Sequence, residues 1–294
     1  MRNLLRRHRR EIALVIGNGI NRYGLAERTN SWSHLLVAVA QRHLPSGLRR
    51  VPEGVGLTEF YDVVELGQAG PARSGQLQRE FCELMATWRP HDHHRRIVGW
   101  AQQADAPVLT TNFDRVLADA GGLSLRRTTN DGFTDHYPWE SYYGLKDITN
   151  PSAQFGVWHV NGMEHYPRSV RLGLSHYMGS VERARRLMHR GGERRLFSAK
   201  GARDWHGAGS WLHVVFNSPL LIFGLALDQD EVFLRWLLIE RAKYFKKFPG
   251  RRKSAWYVHV GTLSQGKEIF LKAVGIVPHS VATYADIYGP QTWQ

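Results

Sequence analysis

The sequence predicts an α/β protein: a Rossmann-like doubly wound parallel sheet with a helical insertion between its first two strands. Three observations carry this. Short apolar runs rich in Val, Ile and aromatics recur without alternation, as in strands buried on both faces. Segments with helical spacing fall between them. The first apolar run ends in Gly17-Asn18-Gly19-Ile20-Asn21, a glycine turn at a strand end.

In chain order, the strands are predicted over Ile12 to Ile16, Pro107 to Leu109, Phe155 to Val160, Leu220 to Phe223 and Trp256 to Val260. Leu123 to Thr129 and Ser280 to Tyr284 are weaker strand signals. Helices are predicted over Ser31 to His43, Thr58 to Leu66, Gln76 to Trp88, Asp114 to Ala120, Asp230 to Phe245 and Lys267 to Val274. Ser31 to His43 places Trp32, Leu35, Leu36, Val39 and Ala40 at helical spacing; Asp230 and Glu231 open their helix with acids, as helix N-termini favour. Residues near 40–105 form the insertion. Residues near 130–152, with Asp131-Gly132, Pro138 and Asn150-Pro151, read as a long loop, and 183–210 as a basic helix and a glycine-rich, mobile connection. One domain, 1–294, is expected.

The chain has 294 residues, 43% of them hydrophobic, enough for a sizeable core and too many for a disordered chain. No run approaches the roughly 20 apolar residues that span a bilayer, and the arginine-rich start has no cleavage pattern, so a cytoplasmic protein without a membrane association is expected. The single cysteine, Cys82, excludes an internal disulfide and a cysteine zinc site; it reads as a small buried hydrophobe. The net charge of +13 favours anionic partners. It comes in blocks: Arg2 to Arg10, Arg183 to Arg203 and Arg241 to Lys253.

Four strand ends carry candidate chemistry. Gly17 and Gly19 permit a tight turn and close approach of a diphosphate, but the third glycine of the dinucleotide fingerprint is missing. Thr110-Thr111-Asn112-Phe113-Asp114 follows a strand; Asn112 offers a donor and an acceptor, and either Asn112 or Asp114 also suits a helix cap. His159 leaves a hydrophobic strand just before Asn161-Gly162, where it would serve as a general base or as a satisfied core residue. Gly224 ends a strand ahead of Asp228 and Asp230, acids suited to ribose hydroxyls or to helix capping. His91, His93 and His94 stand beside Asp92 and two arginines and read as a surface turn rather than a metal site.

In this order the motifs resemble the sirtuin-like family of bacterial NAD-degrading anti-phage effectors. Its members show Gly-Ala-Gly-Ile-Ser, Thr-Thr-Asn-Tyr-Asp, His-Gly and Gly-Tyr-Ser-x-x-Asp. Here Asn18 and Asn21 replace Ala and Ser, and Val160-Asn161 separate His159 from Gly162. The resemblance covers roughly Ile12 to Ile239, and its most specific piece is Thr110 to Asp114. The four-cysteine zinc ribbon of protein-deacylating sirtuins is not encoded, which points to the zinc-ribbon-less NAD hydrolases.

The resemblance implies an NAD glycohydrolase that splits NAD into nicotinamide and ADP-ribose. Asn112 and His159 would be catalytic. Gly17, Asn18, Gly19, Ile20, Asn21, Thr111, Asp114, Gly224 and Asp228 would bind the nucleotide. NAD would be the substrate and no metal would be needed. Such an effector must be held inactive, so a regulatory or sensor protein encoded nearby, or self-assembly, is expected to trigger it. Two other readings compete: a non-catalytic module binding NAD or ADP-ribose, and a nucleic-acid-binding protein using the basic blocks.

Overall fold

The structure, a computed structural model, describes residues 1–25, 30–44, 47–68, 75–129, 137–198 and 204–294. Eight strands form one sheet: β1 (Ala13–Ile16), β2 (Val108–Thr110), β3 (Ser124–Arg127), β4 (Ser141–Gly144), β5 (Val157–His159), β6 (Leu220–Phe223), β7 (Ala255–Val260) and β8 (Val277–Val281). Their spatial order is β3-β4-β5-β2-β1-β6-β7-β8. β3 and β4 are antiparallel additions at one edge; the other six pair in parallel. Numbered among themselves in chain order, those six run 3-2-1-4-5-6, the doubly wound Rossmann arrangement. The order reverses between β1 and β6, and such a reversal opens a crevice at the carboxyl ends of the strands.

The central strands are apolar throughout because both faces are covered. Ala13, Val15, Leu109, Trp158, Leu220 and Ile222 point into one core. Leu14, Ile16, Val108, Val157, Leu221 and Phe223 alternate with them and point into the other. Helices α8 (Leu174–His189), α9 (Trp211–Asn217), α10 (Val232–Lys247) and α11 (Gln265–Ala273) supply the first core. Helices α1 (Arg2–His8), α6 (Asp92–Ala104), α7 (Val116–Ala120) and α12 (Ala285–Tyr288) supply the second. Between β1 and β2 lie the single turn α2 (Gly19–Arg22), then α3 (Trp32–His43), α4 (Leu57–Leu66), α5 (Gln76–Met85) and α6. Helices α3 to α5 build a third cluster that closes over Phe113, Val116, Val170 and Leu172 beside the sheet. No helix among the described residues is long and apolar enough to cross a membrane.

Several expectations need correction. The loop foreseen near 130–152 contains β4, which pairs Tyr142 and Tyr143 with Arg126 and Leu125; Asp131 and Gly132 lie outside the described residues. The basic helix starts at Leu174, and the described residues on either side of 199–203 pack into the core. Leu196, Trp205 and Trp211 are buried, and Gly207 leaves room for the Trp205 ring, 2.4 Å from where a Cβ would stand. Lys200, Gly201 and Arg203 lie outside the described residues. The histidine turn is the start of α6, with His93 and His94 buried. Cys82 is buried in α5, and burial pushes its thiol up to about 12.

Candidate functional site

Strand register brings the four sequence motifs to one rim. Ile16 pairs with Thr110 and with Phe223, and Thr110 pairs with His159. Gly17, Thr111, Val160 and Gly224 therefore follow four neighbouring strand ends. Above the switch point lies a cleft of about 510 Å³. It is walled by Asn18, Gly19 and Arg22 after β1, by Gly224 to Ala226 after β6, by Asp228, Asp230 and Glu231, and by Lys267 of α11. Trp32 of α3 closes one side.

The glycines serve the crossing of two loops. A Cβ on Gly17 would stand 2.5 Å from the Gly224 carbonyl oxygen, and one on Gly19 would stand 2.9 Å from it. Gly224 itself has φ +67°, which glycine adopts without strain, and a Cβ there would meet the Tyr288 hydroxyl at 2.6 Å. Most of the backbone N–H groups foreseen for a diphosphate are already used. Gly19 N donates to Gly224 O (2.7 Å), Ile20 N to Gly17 O (3.3 Å) and Asn21 N to Asn18 O (3.1 Å). Cations are available instead. Arg22 is exposed on the cleft and makes no side-chain hydrogen bond or ion pair among the described residues. Lys267 holds Asp228 at 2.7 Å on the facing wall.

Gly17, Ile20 and Asn21 do not line the cleft. Ile20 is core. Asn21 is buried, with Nδ2 donating to Asn18 Oδ1 (3.0 Å) and Asp114 Oδ2 (2.8 Å). Its Oδ1 accepts from His94 Nε2 at 3.1 Å, while His94 Nδ1 accepts from the His91 amide. His93 Nε2 donates to Ile20 O at 2.8 Å. The two histidines thus brace the glycine turn, and burial drives the His94 imidazole down to about 2, so it stays neutral. Asp114 also accepts from the Val116 amide (2.9 Å), capping α7. Burial raises its carboxyl to about 6 despite these bonds.

At the carboxyl ends of β2 and β5, five buried polar atoms have no hydrogen-bond partner among the described residues: Thr111 Oγ1, Asn112 Nδ2 and Oδ1, His159 Nδ1 and Asn161 Oδ1. Buried polar atoms left this way cost about 1–3 kcal/mol each, so such a cluster calls for a reason. His159 Nε2 donates to the Asp114 carbonyl at 2.9 Å, which fixes the proton on Nε2 and leaves the Nδ1 lone pair open. Burial holds the imidazole at about 4, so it is neutral near pH 7 and a weaker base than an ordinary histidine.

Asn112 and His159 line neither the cleft nor the small chamber beside it. That chamber, about 50 Å³, is bounded by Trp32, Leu36, Phe81, Phe113, Arg171, Tyr177, Asp230 and Glu231 among others. Trp32 and Glu231 border both spaces. Trp32 stacks on Phe113 with ring centroids 4.9 Å apart, next in sequence to Asn112. Glu231 makes no side-chain hydrogen bond or ion pair among the described residues, and burial with Asp230 and Asp228 nearby raises its carboxyl to about 7. Asp230 accepts from the Leu57 amide at 3.1 Å. Sequence reasoning took Glu231 as a helix opener, Asp230 as a helix opener or a ribose contact, and Trp32 as part of an apolar helix face. Only the packing of α3 and α4 over the sheet brings them to the cleft. The three histidines form no metal-ligating group among the described residues.

No protein-family model matches this chain, and no curated protein matches it.

Proposed function

We propose that the protein is an NAD glycohydrolase, with the dinucleotide lying across the β1–β6 switch point. The observation that carries this reading is the pairing of a 510 Å³ cleft there with polar atoms of Thr111, Asn112, His159 and Asn161 that lack hydrogen-bond partners among the described residues at the adjoining strand ends. Arg22 and Lys267 suit the diphosphate, and Asp228 suits a ribose diol. In the reaction, the bond from the ribose C1′ to the nicotinamide nitrogen breaks, and its electron pair leaves with the ring, which becomes neutral. A water oxygen bonds to the resulting cationic carbon and gives up one proton. Asn112, with both donor and acceptor unused, holds that water or the ribose hydroxyls. His159 Nδ1 is the lone pair that accepts the proton. Glu231, at the mouth between cleft and chamber, offers negative charge to the cationic sugar when ionised.

Asn112 is buried and lines neither space, and its neighbour Phe113 is stacked under Trp32 at the cleft wall, so on this reading substrate reaches Asn112 only once that stack moves. This fits an activity kept low until a partner or self-assembly opens the site, as a toxic defence effector requires. The test is nicotinamide release from NAD by the purified chain, alone and with the products of neighbouring genes. Release that disappears in Asn112→Ala supports the reading; undiminished release in that variant overturns the assignment. ADP-ribose binding without release in every combination would favour the non-catalytic module.

A further inference from the structure

The amino rim of the sheet carries a second cavity, of about 520 Å³, between the ends of α10 and α11. Its walls include Arg241, Lys243, Lys246, Arg252, Lys253 and Lys272, and no acidic residue. Arg252 and Lys253 lead into β7, and Val274 and Gly275 lead towards β8, so the cavity opens at the strands' amino ends. The cleft lies at the other end of the six-residue β7, about 20 Å away.

Among the described residues, only one of these cations has a carboxylate partner. Lys243 pairs with Glu240 at 2.7 Å. Lys246, Arg252, Lys253 and Lys272 make no ion pair or side-chain hydrogen bond among the described residues. At the floor, Arg241 is 1% exposed and has no carboxylate partner. Its Nε donates to Val215 O (2.8 Å) and its Nη2 to the carbonyls of Ser218, Lys253 and Ser254, while Nη1 has no hydrogen-bond partner among the described residues. Lysines at helix C-termini answer the helix dipole, which accounts for Lys246 and Lys272. It does not account for Arg252 and Lys253, which precede a strand, or for a buried guanidinium balanced by carbonyl dipoles and the Phe245 ring face, 4.5 Å away, without a carboxylate among the described residues. A ring of like charge around one hollow raises the energy of the empty state, and a bound polyanion lowers it. Beside the cations, Ala242, Phe245, Phe270 and Val274 give an apolar wall.

We propose that this cavity is a second ligand site, taking the phosphate chain of a nucleoside polyphosphate, with Lys246, Arg252, Lys253 and Lys272 on the phosphates and the apolar wall against the base. The site is independent of what the cleft binds or cleaves.

The test is calorimetric titration of the full chain with ATP, in wild type, in the amino-rim variant Lys246→Glu/Lys272→Glu and in the cleft variant Lys267→Glu. A binding component weakened at least tenfold by the amino-rim change, kept in the cleft variant and weakened by added salt is expected. Inorganic triphosphate run alongside separates the two contributions: tighter binding of ATP reports the base against the apolar wall. The same ATP affinity in the amino-rim variant, or loss only in the cleft variant, would overturn the site. So would binding of a 20-nucleotide single strand, but not ATP, through these lysines, since it would assign the surface to nucleic acid. If the double variant fails to fold, Arg252→Ala and Lys253→Ala, tested singly, carry the same comparison.

Discussion

At the carboxyl rim of the sheet, Asp228, Asp230 and Glu231 share a cleft with Arg22 and with Lys267, which pairs with Asp228, and two backbones cross there without room for a Cβ. At the amino rim, the charged groups lining a hollow of similar size are all cations, set beside an apolar wall and over the buried Arg241. The first region is organised by close packing and unpaired polar atoms, the second by unpaired charge. The difference separates two properties that the sequence presented together. The +13 net charge suggested a nucleotide or nucleic-acid field, yet the cleft at the switch point has mixed charge. Much of the third basic block lies at the opposite end of the strands.

The comparison breaks most visibly on chemistry. Asn112→Ala and His159→Ala are each expected to cut nicotinamide release at least about 100-fold, the usual contribution of a positioned acid–base group. An unchanged rate in either, with the protein folded, removes that residue from the mechanism. Next is stability at the amino rim. Arg241→Met deletes the donor to four backbone carbonyls and is expected to cost about 3 kcal/mol in urea unfolding. Lys272→Ala, in the same cavity but exposed, should stay within about 0.5 kcal/mol. Equal costs would mean that Arg241 is no more integral to the fold than its exposed neighbours.

Acid sharpens the contrast. His159 is held at about 4 when folded, from an ordinary value of 6.5. Between those values the unfolded chain binds the extra proton, so this group's contribution to stability rises with pH and falls as pH drops through 6.5. From pH 7 to 5 the wild type should lose about 2 kcal/mol more than His159→Gln. Arg241→Met should leave the pH dependence over that range unchanged, because its guanidinium, lowered only to about 9, stays charged throughout. The smallest effect belongs to Tyr288→Phe. It removes a buried hydroxyl without a partner among the described residues and should be neutral within about 1 kcal/mol by urea unfolding. A larger loss would mean that the hydroxyl does have a partner.

Most of the sheet was legible because strands covered on both faces are written as unbroken apolar runs. β1, β2, β5, β6 and β7 stand within two residues of their predicted bounds at each end, the largest shift being the start of β5 at Val157 rather than Phe155. The antiparallel edge was harder. β4 is Ser141-Tyr142-Tyr143-Gly144, four residues between turn-forming segments, and β8, at the opposite edge, is half polar and exposed. Strand order made the rim legible too, since Gly17, Thr111, His159 and Gly224 all follow from apolar runs that end together. What each residue does at that rim was not legible. Asn21 and Asp114 look like ligand contacts in the chain but bond to each other. Arg241 looks like one more surface cation but is buried. Glu231 and Trp32 take their places through α3, α4 and α10 packing over the sheet, which local periodicity does not encode.

Equilibrium binding of ADP-ribose, which lacks the scissile bond, tests the central claim apart from catalysis. One molecule per chain should bind, at least tenfold more weakly in Arg22→Glu and Lys267→Glu, and with unchanged affinity in Asn112→Ala if that side chain acts on the attacking water rather than on the ribose. An absence of binding, or binding that ignores Arg22 and Lys267 and is lost in Lys246→Glu/Lys272→Glu, would contradict a nucleotide site at the β1–β6 switch point.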